Sequence, residues 1–126
     1  MSDNPAFAKI EADIKSNDVV LYMKGSKEQP ICGFSGAVVQ MLRAAGLEEF
    51  KDVDVLSSPE IREAIKAYNN WPTIPQLFVK GEFVGGGEII KEMFETGELR
   101  EMFESKGVEL GDSQMPAMRF VGGGCS

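Results

Sequence analysis

The sequence predicts an α/β domain: a central, mixed four-stranded sheet flanked by helices. Three observations carry that expectation. Short β-rich apolar runs alternate with amphipathic segments at helical spacing. The segment order is helix, strand, helix, strand, helix, strand, strand, helix, and strands separated by a helix pair in parallel. The last two strands are separated only by Lys80-Gly81, which suits an antiparallel hairpin.

"NPAFAKIEADIKSN" opens with Asn4 as N-cap and Pro5 at the first helical position, and sets Phe7, Ile10 and Ile14 on one face. "DVVLYMKG" is an unbroken apolar run closed by Gly25, as expected of a central strand buried on both faces. After the loop "SKEQPI", residues 32–45 place Val38, Val39, Leu42 and Ala45 at helical spacing before Gly46. "FKDVDVL" reads as a second strand. "SSPEIREAIKAYNN" reads as a helix capped by Ser58, with Pro59 first and Ile61, Ile65 and Tyr68 inward. "IPQLFVKGEFVGG" holds the hairpin, and a helical region from about Glu88 is interrupted near Gly97. The reading divides the chain into one domain over residues 1–106 and a mobile, glycine-rich tail over residues 107–126.

At 126 residues, the chain has room for one core and not two. A net charge of −7 argues against general binding to nucleic acid or to an anionic membrane, since both would repel the surface. No apolar run is long enough to span a bilayer. The start "MSDNPAFAKI" shows neither a secretory nor a transit signal, so a cytoplasmic protein, or a processed matrix protein, is expected. The two cysteines, Cys32 and Cys125, are too few for a disulfide scaffold and fit a reducing compartment. Histidine is absent, which removes Cys-His and Ser-His nucleophile pairs and any histidine-ligated metal.

The chemistry gathers in three segments. In "PICGFSG", Cys32 stands where redox proteins often carry the first cysteine of a Cys-x-x-Cys pair, and Ser35 takes the second place. A cysteine at a helix N-terminus faces free N–H groups and the positive end of the helix dipole, which favour thiolate, and Lys24 adds a positive charge nearby. The alternative is a small buried hydrophobe. In "WPTIPQ", Thr73 through Pro75 is a candidate cis-proline segment able to pair with an extended peptide; a rigid trans turn is the alternative. In "VGGGEII", glycines lead into a helix and can present N–H groups to a carboxylate, unless they simply form a tight turn.

In order and spacing, "YMKG", "CGFS" and "WPTIPQLFVKGEFVGG" resemble the monothiol glutaredoxins of the CGFS type over roughly residues 4–106. The resemblance implies a thioredoxin-like fold, glutathione as ligand, and a [2Fe–2S] cluster bridging two subunits. It implies that Cys32 is the cluster ligand and the glutathione-reactive thiol. Lys24 and Arg62 match cations for the glycyl carboxylate of glutathione. Thr73, Ile74 and Pro75 match the segment whose backbone pairs with the cysteinyl part, and Gly86, Gly87 and Glu88 fall where the γ-glutamyl end is held. The chain departs from the family's usual Gly-Gly-Cys-Asp or Gly-Gly-Ser-Asp, reading Gly85-Gly86-Gly87-Glu88 instead.

One thiolate per subunit and one from each of two glutathiones make the four ligands that such a cluster needs. The resemblance therefore implies a homodimer when cluster-bound, receiving clusters from an assembly scaffold and passing them to recipient apo-proteins. Two other roles stay open. One is glutathione-dependent reduction of mixed disulfides, at most a weak thiol-disulfide oxidoreductase activity. The other is an iron-dependent interaction module for a BolA-like partner.

Overall fold

The run Val19–Met23 forms strand β1, and every one of its residues is buried. Its side chains alternate between two cores, as period-two geometry requires. Val19, Leu21 and Met23 enter one, and Val20 and Tyr22 the other. The computed structural model describes residues 5–31, 33–108, 110 and 111.

β1 pairs in parallel with β2 (Lys51–Asp54) and antiparallel with β3 (Gln76–Val79), which pairs antiparallel with β4 (Glu82–Gly86). The sheet order is β2-β1-β3-β4, so the unbroken apolar run is central, as expected. Helices α1 (Pro5–Ser16) and α3 (Pro59–Asn69) cover one face through Ile10, Ile14, Ala64 and Ile65. Helices α2 (Gly33–Ala44), α4 (Gly87–Thr96) and α5 (Glu98–Ser105) cover the other through Leu42, Ile90, Leu99 and Phe103. This is the thioredoxin-like fold. Among the described residues no helix is long and apolar enough to cross a membrane.

Local chemistry sets the boundaries. Ser58 Oγ accepts the Ile61 N–H at 3.3 Å and caps α3. Lys80 and Gly81 both have positive φ, 53° and 83°, the backbone that a two-residue hairpin turn demands. The expected N-cap Asn4 lies outside the described residues.

Helix α5 ends at its C-cap, Lys106. The Gly107 N–H donates to the Glu104 carbonyl, and the Val108 N–H reaches back to the Phe103 carbonyl at 2.9 Å. That pairing is a Schellman motif, with Val108 and Phe103 both buried in one core. The chain then crosses to the end of α2, where the Gly111 N–H donates to the Gly46 carbonyl at 2.7 Å. Residues 112–126, with Cys125, lie outside the described residues.

Candidate functional site

Residues 24–31 lead from β1 toward α2. Ser35, in the first turn of α2, is fully buried, and its Oγ accepts the Lys24 N–H at 3.1 Å. Where a second thiol would stand, the chain thus holds a hydroxyl that ties the end of β1 to α2. Cys32 itself lies outside the described residues; its neighbours are Ile31, which is 69% exposed, and Gly33, which opens α2. Phe34 is 66% exposed, an unusual fate for an aromatic side chain.

The segment 71–75 runs from α3 into β3 and contains the cis Ile74–Pro75 peptide bond. Gln76, fully buried at the first position of β3, organises it. Its Nε2 donates to the carbonyls of Trp71 and Thr73, each at 3.1 Å, and its Oε1 accepts from Asn69 Nδ2 at 3.3 Å. The indole of Trp71 packs on Phe83, with ring centroids 5.3 Å apart.

The third segment joins β4 to α4. Gly86 is the N-cap of α4 and offers no side chain to the first-turn N–H groups, which leaves them for a ligand. A Cβ on Gly86 would lie 3.0 Å from Trp71 Nε1 and 3.5 Å from the Pro75 carbonyl oxygen. Glycine lets these two segments approach. A Cβ on Gly87 would come no closer than 3.8 Å to Phe34 or Pro75, so that position has room for a side chain.

The latter two segments, with Phe34 of α2, line a cleft of about 460 Å³, within the ordinary size range of small-ligand pockets. Six residues expected at the site line it: Thr73, Ile74, Pro75, Gly86, Gly87 and Glu88. Phe34, Trp71 and Ile89 also line it and were not expected there as binding residues. The motif position of Phe34, two residues after the cysteine, was the available signal. Half-buried Lys24 and exposed Arg62 do not line this cleft, and among the described residues neither side chain has an ion-pair partner. Three groups outside the cleft lining have displaced ionisation. Burial pushes the hydroxyls of Tyr22 and Tyr68 upward, and a hydrogen bond from Lys106 holds the Glu82 carboxyl down.

The glutaredoxin family model matches residues 19–84, a span reaching from β1 through the cleft segment 71–75 into β4. The chain belongs to the glutaredoxin family. This glutaredoxin is 49% identical over 105 residues to probable monothiol glutaredoxin 2 of Rickettsia conorii, covering 83% of this chain and 97% of that one. It is 50% identical over 96 residues to glutaredoxin 4 of Escherichia coli K12, covering 76% and 83%. Among solved structures, a monomeric truncated mutant of Trypanosoma brucei 1-C-Grx1 superposes with a TM-score of 0.76 at 43% identity, covering 84% and 96%.

Proposed function

We propose that this glutaredoxin binds glutathione in the cleft and, as a dimer, carries a [2Fe–2S] cluster for delivery to apo-proteins. The observation that carries the reading is the commitment of Ser35: buried and bonded to Lys24, it leaves Cys32 without a thiol partner within its own motif. A lone thiolate is a poor intramolecular disulfide former but a sufficient half of a shared ligand set. Cys32 from each chain and the thiolate of one glutathione per chain supply four sulfur ligands. The cluster is cargo.

The residues present suit the tripeptide. The uncapped N–H groups at the start of α4 suit the γ-glutamyl carboxylate, with Glu88 beside them for its ammonium. The backbone of Thr73, Ile74 and Pro75 supplies pairing groups for the cysteinyl part. Lys24 and Arg62, free of ion pairs among the described residues, are assigned to the glycyl carboxylate. A cluster held half by dissociable tripeptides is labile, which suits exchange between an assembly scaffold and a recipient. A BolA-like protein is the proposed alternative to the second copy.

Oxygen-free reconstitution with iron, sulfide and glutathione tests this directly. The expected product is a brown dimer, with Cys32→Ser colourless and monomeric. A stoichiometric cluster retained by that variant overturns the ligand assignment. A colourless wild-type monomer that turns over glutathionylated substrate replaces the carrier reading with the oxidoreductase one.

A further inference from the structure

We infer that Asp54, at the end of β2, is a positioning residue for the loop from Gly25 to Ile31 that leads to Cys32; the inference rests on reading Cys32 as the reactive group. Asp54 Oδ1 accepts two backbone N–H groups, from Gly25 at 3.0 Å and from Leu56 at 2.8 Å. The first of these belongs to the loop that leads to the thiol. Gly25 N–H and the Lys24 carbonyl are the two ends of one planar peptide unit. That same Lys24 carbonyl accepts the Ile31 N–H at 3.0 Å, and Ile31 precedes Cys32. A single rigid plane therefore connects the Asp54 carboxylate to the residue before the thiol. On the other side of Cys32, Ser35 Oγ holds the Lys24 N–H, so the peptide groups on both sides of Lys24 are fixed.

The rest of the loop is fastened to the same strand and to Phe50 just before it. The Lys27 N–H donates to Asp52 Oδ2 at 2.8 Å, and Lys27 Nζ donates to the Phe50 carbonyl at 2.7 Å while lying over the Phe50 ring. Ser26 and Gln29 exchange backbone bonds inside the loop. Gly25 has φ +87°, and a Cβ there would fall 2.5 Å from the Gln29 carbonyl oxygen, so the turn admits only glycine. These internal bonds close the loop on itself. The bonds to Asp52, Asp54 and Phe50 decide where the closed loop sits against the sheet, and with it where Ile31 delivers the chain to α2.

The test uses the full chain carrying Cys125→Ser, so that Cys32 is its sole thiol, and follows alkylation by iodoacetamide at one pH well below the melting temperature. A thiol held at a helix N-terminus is activated by that placement. Asp54→Ala is expected to slow alkylation about three- to tenfold, the scale of part of one charge-assisted hydrogen bond. Asp54→Asn keeps the accepting oxygen and is expected to stay within about twofold of the parent. Ile10→Val, which thins the core beneath α1, lowers the melting temperature without slowing alkylation. Unchanged alkylation in Asp54→Ala, equal slowing in Ile10→Val, or failure of Asp54→Asn to rescue each overturns the inference. Hydrogen exchange in the parent gives an independent check should Asp54→Ala not fold. The Gly25 and Ile31 amides should be protected, and exchange at unprotected rates also overturns it. Iodoacetamide needs neither iron nor glutathione, so failure of the cluster test leaves this result separately readable.

Discussion

Gln76 is bonded to Trp71: its Nε2 donates to the Trp71 carbonyl oxygen at 3.1 Å, from a side chain with no exposed surface. The same nitrogen serves Thr73, so one buried amide shapes the segment that walls the cleft. Gln76→Ala would leave two carbonyls to find other partners. A stability loss of about 1–3 kcal/mol is expected, the range for orphaned buried polar groups. Urea unfolding checks the size, and faster hydrogen exchange at Trp71 and Thr73 would place the damage in the cleft wall. Loss of stability without any local change there would sink the proposed role.

Gly85 and Gly87 stand two residues apart and should respond oppositely to a side chain. A Cβ on Gly85 would lie 2.7 Å from both Cβ and Cγ2 of Ile89, atoms fixed close to the α4 backbone. Gly85→Ala should therefore cost about 1–3 kcal/mol through overpacking. At Gly87, the first residue of α4, the nearest atoms would be 3.8 Å away, so a side chain meets no clash and the unfolded chain loses some of its freedom. Gly87→Ser should be neutral or slightly stabilising. Thermal melts of the two variants decide it; equal destabilisation would contradict the geometry.

The elements were legible where a local rule acts alone. Val19–Met23 has no charged residue and sits centrally; Lys80-Gly81 turns the hairpin; Gly97, at φ 85°, separates α4 from α5. The return of the Gly107 and Val108 N–H groups to the last turn of α5 was not legible, because a glycine followed by aperiodic sequence carries no pattern that displays such bonds. Residues 73–75 and 86–88, marked in the sequence by their prolines and glycines, line one cleft. Lys24 and Arg62 were placed by motif position, which does not fix where long side chains point. Gln76 looked like one more strand residue; a glutamine opening a fully buried strand was the clue to its role.

The ion pair between Glu82 and Lys106, 2.6 Å apart, ties the hairpin to the end of α5 and should leave a pH signature. The hydrogen bond from Lys106, then its charge, lowers the Glu82 pKa below its ordinary value. A lowered folded-state pKa contributes stability above the unfolded pKa of about 4.3, and that stability is lost as pH falls through the folded value. Glu82 is fully exposed, so salt screening should erase much of the shift. NMR titration of the Glu82 carboxyl should give a pKa below the ordinary one, returning toward it in Lys106→Ala or at high salt. An unchanged value in Lys106→Ala would remove the pair as its cause.

Glu88 tests the proposed ligand site. It lies exposed in the first turn of α4 and lines the cleft beside the uncapped N–H groups. If the γ-glutamyl end of glutathione docks there, its carboxylate takes those N–H groups and its ammonium pairs with Glu88. The longer side chain still reaches but has more rotamer freedom to lose on ordering. Glu88→Asp is therefore expected to bind glutathione equally or slightly more tightly. Glu88→Ala should weaken binding by roughly 1–3 kcal/mol, toward the lower end because the pair is solvent-exposed. An acid in a first turn also favours its helix through the dipole alone, worth about 0.3–1 kcal/mol of stability. Calorimetric titration of glutathione into the three proteins separates the roles. Unchanged affinity in Glu88→Ala, with only a lower melting temperature, would leave Glu88 a helix-end residue and take it out of the binding site.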